Sequence, residues 1–414
     1  MSYDGTMNGA DDTRVVCVEK LVPGGDGLCR EVPEGEAEPT GRGQVIFVPF
    51  VLAGEKLRVE LREKKQGFAR GEVIEILSPS AARVEAPCRY YGGCGGCNLQ
   101  HMSYQEQLRQ KLSIALDAFR RTGHLNLASL SIVPSAPFGY RNRVQFHRTK
   151  EGEIGFMAQE SNQIVPIDHC LVAVPAVNRF LGRSEELSPG DASGAGARRF
   201  GLFAIGDGWV IEGDGRTIAV EILSRRFLVS ADSFAQSNVS MLERLVSWVC
   251  SGISGDTAAD LYGGAGLFSL FLRDRFTLVH LVEADRKAAA LARVNLESGE
   301  SQQAGRVEIH AERAESWLEH SGRRARLDAA VVDPPRQGLS SGVTRLLCAR
   351  QIAQLVYVSC DPVTLARDAS LLREGGYELV DCMLFDLYPQ TSHIEAVARF
   401  VFGSGRGSPR GQSQ

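Results

Sequence analysis

The sequence predicts an α/β fold: a C-terminal doubly wound domain, preceded by a small OB-like β-barrel and a central α+β domain. Three observations predict it. From about residue 235 onward, strand-like runs such as TLVHLVEAD, DAAVVDPP and LVYVSC alternate with helical segments over about 170 residues, as a parallel sheet covered by helices requires. Residues 14–80 hold short alternating runs, RVVCVEKLV, QVIFVPFVL, KLRVELREK and GEVIEIL, separated by Gly- and Pro-containing turns. Four or five strands in about 65 residues suit a small barrel. Residues 81–230 mix a helix with many strand-like runs.

Taken in order, residues 1–13 are polar and expected to be disordered. The barrel at 14–80 carries a locally basic stretch, Arg58, Arg62, Lys64, Lys65 and Arg70, with Phe68 among them. It reads equally as a solvated face or an RNA-facing patch. Residues 81–100 hold Cys88, Cys94 and Cys97. A helix is expected over about 103–121, where apolar residues recur at helical spacing. From 130 to 230 strands return (YRNRVQFHR, EIGFMA, RFGLFAIG, TIAVEIL), interrupted by a loop at ELSPGDASGAGA (186–197). The doubly wound domain is expected over 231–402, and 403–414 is a Gly/Ser-rich tail.

The 414 residues are 43% hydrophobic and 23% charged, ordinary for a soluble globular chain. No apolar run reaches membrane-spanning length, and the start lacks a secretory pattern, so a cytoplasmic monomer without membrane contact is expected. The net charge of −4 argues against a chain coated in nucleic acid, though not against local patches. The ten cysteines do not resemble a disulfide scaffold in a chain this long.

DLYGGAGLFSL (260–270) is a strand, a Gly-rich turn and a helix start. Its glycines permit close backbone approach to a ligand, and Glu283, ending the next strand, suits ribose hydroxyls. The loop differs from G-x-G-x-x-G and from a P-loop. It fits the adenosine-binding turn of an S-adenosylmethionine (AdoMet) enzyme better than other nucleotide sites. VVDPPRQGL (331–339) is another strand, ending in Asp333 and two prolines that stiffen the corner. Cys360 closes the strand LVYVS, where open α/β sheets place ligands. The alternative for such a cysteine is plain packing. As a nucleophile it suits an electron-poor carbon. Thiolate addition at carbon 6 of uracil converts carbon 5 into an enolate that accepts a methyl group. Such a thiol is expected to have a lowered pKa. Removing the carbon-5 proton then needs a base, and Glu395 in TSHIEAVARF supplies a carboxylate, with His393 read as a loop residue.

CRYYGGCGGCNLQH (88–101) has the spacing C-x5-C-x2-C. A tetrahedral zinc site or a four-iron cluster needs a fourth ligand, and Cys170 in IVPIDHCLVAVP is the best candidate by context. Spacing leaves zinc and iron–sulfur both open.

These boxes, together with FGYRNRVQF, FAQSN, SCDPVTLARD and YPQTSHIEAV, run in one order from about residue 14 to 402. Together they resemble the RNA 5-methyluridine (uracil-5-) methyltransferases, specifically the ribosomal RNA branch with a TRAM domain and an iron–sulfur cluster. The resemblance implies an AdoMet-dependent catalytic domain with Cys360 as nucleophile and Glu395 as base. It implies AdoMet contacts from Gln236, Tyr262, Glu283 and Asp333, with Glu312 in HAERAE near the adenine. It implies a [4Fe–4S] cluster on Cys88, Cys94, Cys97 and Cys170, an RNA-binding TRAM barrel at 14–80, a central cluster-bearing domain at 81–230, and Phe234 beside a flipped uridine. Gly263 stands where the family often has Cys, Asp361 where Asn is common, and Leu267 at a position usually polar. The expected activity is methylation of carbon 5 of a uridine, with 23S ribosomal RNA favoured over tRNA. Arg141, Arg143, His147 and Arg148 are candidate phosphate contacts. The rivals are a non-catalytic RNA-binding assembly factor and a cytosine-5 methyltransferase.

Overall fold

The computed structural model describes residues 12–33, 36, 43–183, 199–297 and 304–403. The expected N-terminal disorder up to residue 11, the loop at 186–197 and the tail from 404 lie outside them. The chain divides into two compact units. One comprises residues 1–110 with 390–392; the other comprises 111–389 with 393–414.

The first unit contains β1 (Thr13–Leu21), β2 (Gly27–Glu31), β3 (Val45–Val48), β4 (Lys56–Lys65) and β5 (Phe68–Ser78). They close into a barrel in the order β1-β2-β3-β5-β4, antiparallel except at β3–β5. Alternation selects the interior: Val16, Val18, Ile46, Val48, Leu57 and Val59 are buried in one cluster. A side chain at Gly27 would strike Val51 and Val18, so the strands approach there without room for a Cβ. Buried Glu55 accepts both forks of Arg83, at 2.6 and 2.7 Å, and the backbone N–H of Leu52. Each cation of the basic stretch has a carboxylate partner. Arg58 pairs with Glu75, Arg62 with Glu60 and Glu72, Lys64 with Asp12, Lys65 with Glu63, and Arg70 with Asp26. The stretch is a mixed-charge face, not a concentrated positive patch.

The cysteine box is a run of turns after the barrel. The Cys94 N–H donates to the Tyr90 carbonyl at 2.8 Å, and the Gly96 N–H points at the Cys94 sulfur at 3.4 Å. Residues 390–392 belong to the same unit. Asn98 and Leu99 donate backbone N–H groups to the Gln390 carbonyl, while the Gln107 side chain exchanges two hydrogen bonds with Gln390.

The helix α1 (Tyr104–Arg121) carries the chain into the second unit. There follow β6 (Ser131–Val133), β7 (Arg143–Arg148), β8 (Ile154–Met157), β9 (Ile164–Pro166), α2 (Pro175–Gly182), β10 (Arg199–Ile205), β11 (Gly208–Ile211), and the hairpin β12 (Thr217–Ile222) and β13 (Arg225–Ser230). Next come α3 (Leu242–Cys250), β14 (Gly255–Leu261), α4 (Ser269–Leu272), β15 (Phe276–Val282), α5 (Arg286–Glu297), β16 (Arg306–His310), α6 (Ala314–Glu319), β17 (Ala329–Val332), α7 (Ser341–Arg350), β18 (Gln354–Ser359), α8 (Pro362–Glu374), β19 (Tyr377–Phe385) and β20 (Glu395–Phe402).

The main sheet has the order β16-β15-β14-β17-β18-β20-β19-β6, and β20 is antiparallel to both neighbours. Ala258–Leu261, Ala329–Val332 and Leu355–Val358 are buried, as central parallel strands must be. A second sheet, β11-β10-β7-β8-β9, packs Phe146, Phe180 and Phe200 with ring centroids 5.7–6.1 Å apart.

The compact units divide the chain at other places than the expected boundaries at 81 and 231. Residues 81–110 group with the barrel, and 111–230 with the catalytic sheet. The cause is visible at β6, which pairs with β19 as the last strand of the main sheet. A three-residue strand carries too little periodicity to be read from sequence.

Lys111 on α1 is fully buried and donates to Asp386 at 2.6 Å and to the Tyr388 carbonyl at 3.0 Å. Removing the cation leaves a buried carboxylate uncompensated. Lys111→Met is expected to destabilise the fold by about 3–5 kcal/mol. Lys111→Met with Asp386→Leu should recover much of that loss, as read by denaturant unfolding.

Candidate active site

A cleft of about 960 Å³ opens at the carboxyl ends of the parallel strands. Gln236, Tyr262, Glu283, Asp333, Cys360 and Glu395 all line it. Glu312 does not; its neighbours Arg313, Ala314 and Glu315 do. The strand β16 ends at His310, and the following turn presents 313–315 to the cleft. Of the phosphate-contact candidates only Arg141 is on the wall, while Arg143, His147 and Arg148 are carried along β7.

The loop after β14 is built by backbone conformation. Tyr262 takes φ +63°, and Gly264 and Gly266 take φ +55° and +88°. A left-handed tyrosine costs about 1–3 kcal/mol unless its surroundings enforce it. The enforcing contacts are present. The Gly264 N–H donates to Glu283 at 2.9 Å, the Gly263 N–H to the Val282 carbonyl at 3.1 Å, and Asp260 accepts from the backbone and hydroxyl of Ser269. A side chain at Gly263 would come within 2.8 Å of Leu281 and 3.2 Å of the Asp260 carboxyl carbon, so this packing excludes a larger residue without rearrangement. Glu283 also accepts the Asp285 N–H at 2.6 Å. Its carboxylate is therefore pre-oriented, with lone pairs left for hydroxyl donors.

Gln236 reaches the cleft because two other boxes hold its loop. Asn142 donates its amide to the Ala204 carbonyl and accepts the Val239 N–H. Asn238 donates to the Leu387 carbonyl. The FGYRNRVQF and FAQSN boxes are thus partly scaffolding. The Gln236 Oε1 is buried and has no hydrogen-bond partner among the described residues. An orphaned acceptor on the wall of a cleft fits a ligand that brings a donor, such as the ammonium of an amino-acid moiety.

Three carboxyl groups, buried Asp260 and Glu395 and half-buried Asp333, gather at the cleft. Burial, then the charge of Glu283, pushes Asp260 up to about 6 despite the Ser269 bonds. Burial and Asp260 push Asp333 up to about 7. Burial and Asp333 raise Glu395 well above the usual range. Glu395 opens β20, whose antiparallel register sets Ala396 opposite Ser359, so the acid emerges beside the cysteine turn.

That turn is tightly specified. The Ser359 hydroxyl donates to the Asp361 carbonyl at 2.9 Å, and Asp361 caps α8 by accepting from Val363 and Thr364. The departure from Asn at 361 is thereby explained, since Asp and Asn cap equally well. Cys360 sits just before the helix N-terminus, which favours its thiolate. Yet burial, then Glu395 and Asp333, push the thiol up to about 11 against the pull of Arg336. The expected lowered pKa is not a property of the ligand-free site.

At the mouth, Phe234 is 64% exposed, and the rings of Tyr388 and His393 meet edge to face at 5.7 Å. Arg141, Arg313, Glu315, Tyr388 and Ser237 belong to the site but were not legible as cofactor-site residues in sequence. Only the acidic turn around Glu312 and the FAQSN box hinted at them.

Comparison with known proteins decides the family. The model of the tRNA (Uracil-5-)-methyltransferase family matches residues 215–400. An uncharacterized RNA methyltransferase of Treponema denticola is 32% identical over 385 residues, covering 86% of this chain and 94% of that protein. The chain belongs to the RNA (uracil-5-)-methyltransferase family. It is an AdoMet-dependent RNA methyltransferase. A second uncharacterized RNA methyltransferase, from Streptomyces coelicolor, is 32% identical over 410 residues, covering 87% of this chain and 88% of that one. The fold is shared with the Pyrococcus abyssi tRNA (uracil-54, C5)-methyltransferase, solved with S-adenosyl-L-homocysteine. The TM-score is 0.72 at 24% identity, over 95% of this chain and 100% of that one.

A thiol held near 11 is mostly protonated at neutral pH, and its thiolate fraction grows with pH. Alkylation of Cys360 by iodoacetamide should therefore accelerate about tenfold per pH unit between 7 and 9. A positively charged AdoMet analogue should speed it at fixed pH more than neutral S-adenosylhomocysteine does. Mass spectrometry of the Cys360 peptide reads both.

Replacing Asp361 with Ala should cost about 1 kcal/mol of stability, and with Asn only a few tenths, by thermal unfolding.

Proposed function

We propose that this enzyme methylates carbon 5 of a uridine in large-subunit 23S ribosomal RNA, with Cys360 as covalent nucleophile and Glu395 as base. The observation that carries the mechanism is the placement of a half-buried thiol and a buried carboxyl on one wall of the cleft, on adjacent antiparallel strands. The Cys360 thiolate adds to carbon 6 of the uracil, forming an S–C6 bond and moving the ring electrons towards carbon 5. Carbon 5 then forms a bond to the electrophilic methyl group that the sulfonium of AdoMet would supply, with the S–CH3 electron pair staying on the sulfur of S-adenosylhomocysteine. Glu395 accepts the proton from the methylated carbon 5. The electron pair of that C–H bond re-forms the 5,6 double bond and expels the Cys360 thiolate. Arg336 and the N-terminus of α8 favour the thiolate form, while Asp333 and Glu395 oppose it. Gln236, Tyr262, Glu283 and Asp333 hold AdoMet. Phe234, exposed at the mouth, offers a stacking face for the extruded base.

As the resemblance implies, Cys88, Cys94, Cys97 and Cys170 would supply the thiolates for a [4Fe–4S] cluster. A backbone N–H directed at the Cys94 sulfur is the kind of second-shell bond such clusters carry. Cys170 is itself fixed by reciprocal hydrogen bonds with Asn178, at 2.8 and 3.1 Å. The cluster would order the surrounding chain; no step of the methylation needs it. The barrel at 14–80 is read as a TRAM module that adds RNA contacts, with its paired cations exchanging carboxylates for phosphates.

A second reading, tRNA as substrate, is favoured by one observation. The structural match to the Pyrococcus enzyme covers 95% of this chain, so the barrel falls within a fold shared with a protein named for tRNA.

Cys360→Ala is expected to abolish methyl transfer to uridine-containing RNA, and retention of full activity would overturn the mechanism. Glu395→Gln should instead accumulate a denaturation-resistant protein–RNA adduct, seen as a shifted band on a denaturing gel. Mapping 5-methyluridine in 23S rRNA and tRNA from cells lacking the protein separates the two substrates: the position that loses its methyl group is the target.

A further inference from the structure

Away from the cleft, the edge of the main sheet carries a side-chain cluster that the methyl-transfer chemistry does not use. His280 lies on β15 and Glu308 directly opposite it on β16; His310 follows two residues on, on the same face. The His280 Nδ1 and His310 Nε2 atoms are 3.1 Å apart, and the His280 Nδ1 is 3.4 Å from the Glu308 Oε2. One donor atom from each of the three lies within 4.8 Å of the others. Two ligands held tetrahedrally by zinc at about 2.0–2.1 Å stand about 3.3 Å apart, close to both spacings.

We propose that His280, Glu308 and His310 form a binding site for a divalent transition metal of the zinc class. Two imidazoles and a carboxylate are a ligand set that zinc accepts, with a fourth position left to water. Glu308 is 30% exposed, so water can reach that position. Arg306 pairs with the other carboxylate oxygen, Oε1, and leaves Oε2 to the histidines. The guanidinium of Arg350 is engaged by the carbonyls of Leu318, Gly322 and Ala325 and does not compete for the ligands. Trp317 packs on both imidazoles at 5.3 and 5.5 Å, a dry wall that restricts their rotation. The metal would staple the edge strand β16 to β15. The His310 carbonyl accepts the Glu283 N–H at 3.0 Å, so the staple lies one backbone hydrogen bond from the carboxylate read as the ribose contact.

The test uses metal-stripped full-length protein titrated with Co²⁺, whose visible spectrum reports both coordination and ligand type. Co²⁺ at the cysteine box carries thiolate charge-transfer bands; Co²⁺ at this site does not. One equivalent with four- or five-coordinate d–d bands and no thiolate band is expected. Its Kd should weaken at least about a hundredfold in Glu308→Gln and in His310→Ala, and remain unchanged in Cys94→Ser. Trp317 fluorescence should be quenched with the same stoichiometry, and Trp317→Phe should lose the quenching while keeping the Co²⁺ spectrum. Glu308→Gln preserves shape at a half-exposed position, which keeps the comparison valid should His310→Ala fail to fold. The proposal is overturned if Glu308→Gln binds Co²⁺ as the wild type does, if every bound equivalent carries a thiolate band, or if binding needs millimolar metal.

Discussion

The site depends on burying carboxyl groups together at the carboxyl edge of a parallel sheet. Asp260, Asp333 and Glu395 end or begin three strands within the same few residues of register. Water is largely excluded from two of them, with Asp260 and Glu395 at most 2% exposed. Each therefore raises the proton affinity of the next, and the group holds less negative charge than three free carboxylates would. A cationic cofactor entering this cleft meets carboxyls able to ionise in response. The same field works against the Cys360 thiolate.

Around this cluster the chain invests in polar clamps. Asn142, Asn238 and Tyr140 each bind backbone groups far away in sequence: Ala204 and Val239, Leu387, and Pro389. Lys111 ties α1 to Asp386 and the Tyr388 carbonyl. These buried bonds specify loop positions that hydrophobic packing alone leaves degenerate. They also show that motif boxes are not lists of ligands. Within YRNRVQF only Arg141 reaches the cleft, while Asn142 and Tyr140 hold the loops that deliver Gln236 and His393.

Much of the site was legible because its residues stand at strand ends followed by breaks. Asp333 before two prolines, Glu283 after an apolar run, and Cys360 before a helix cap each combine a chemical group with a local stop signal. Gln236, Tyr262 and Glu395 were found through the ordered set of boxes. The misreadings have physical causes. The lowered pKa expected of Cys360 followed from the helix terminus and neglected burial and two acids brought in from β17 and β20. The compact units do not divide at 231, because β6, too short to signal itself, joins the main sheet.

The sequence by itself determined the alternation of strands and helices, the barrel, the Gly-rich loop after β14, and which residues are candidates for nucleophile and base. These rest on periodicity and on residue chemistry at element ends, both local. The tertiary structure alone decided which acids share a field with the thiol, that the five cations of the basic stretch each meet a carboxylate, and that His280 and His310 face one another. Those depend on strand order and register, which join residues on different strands and leave no periodic trace in the chain.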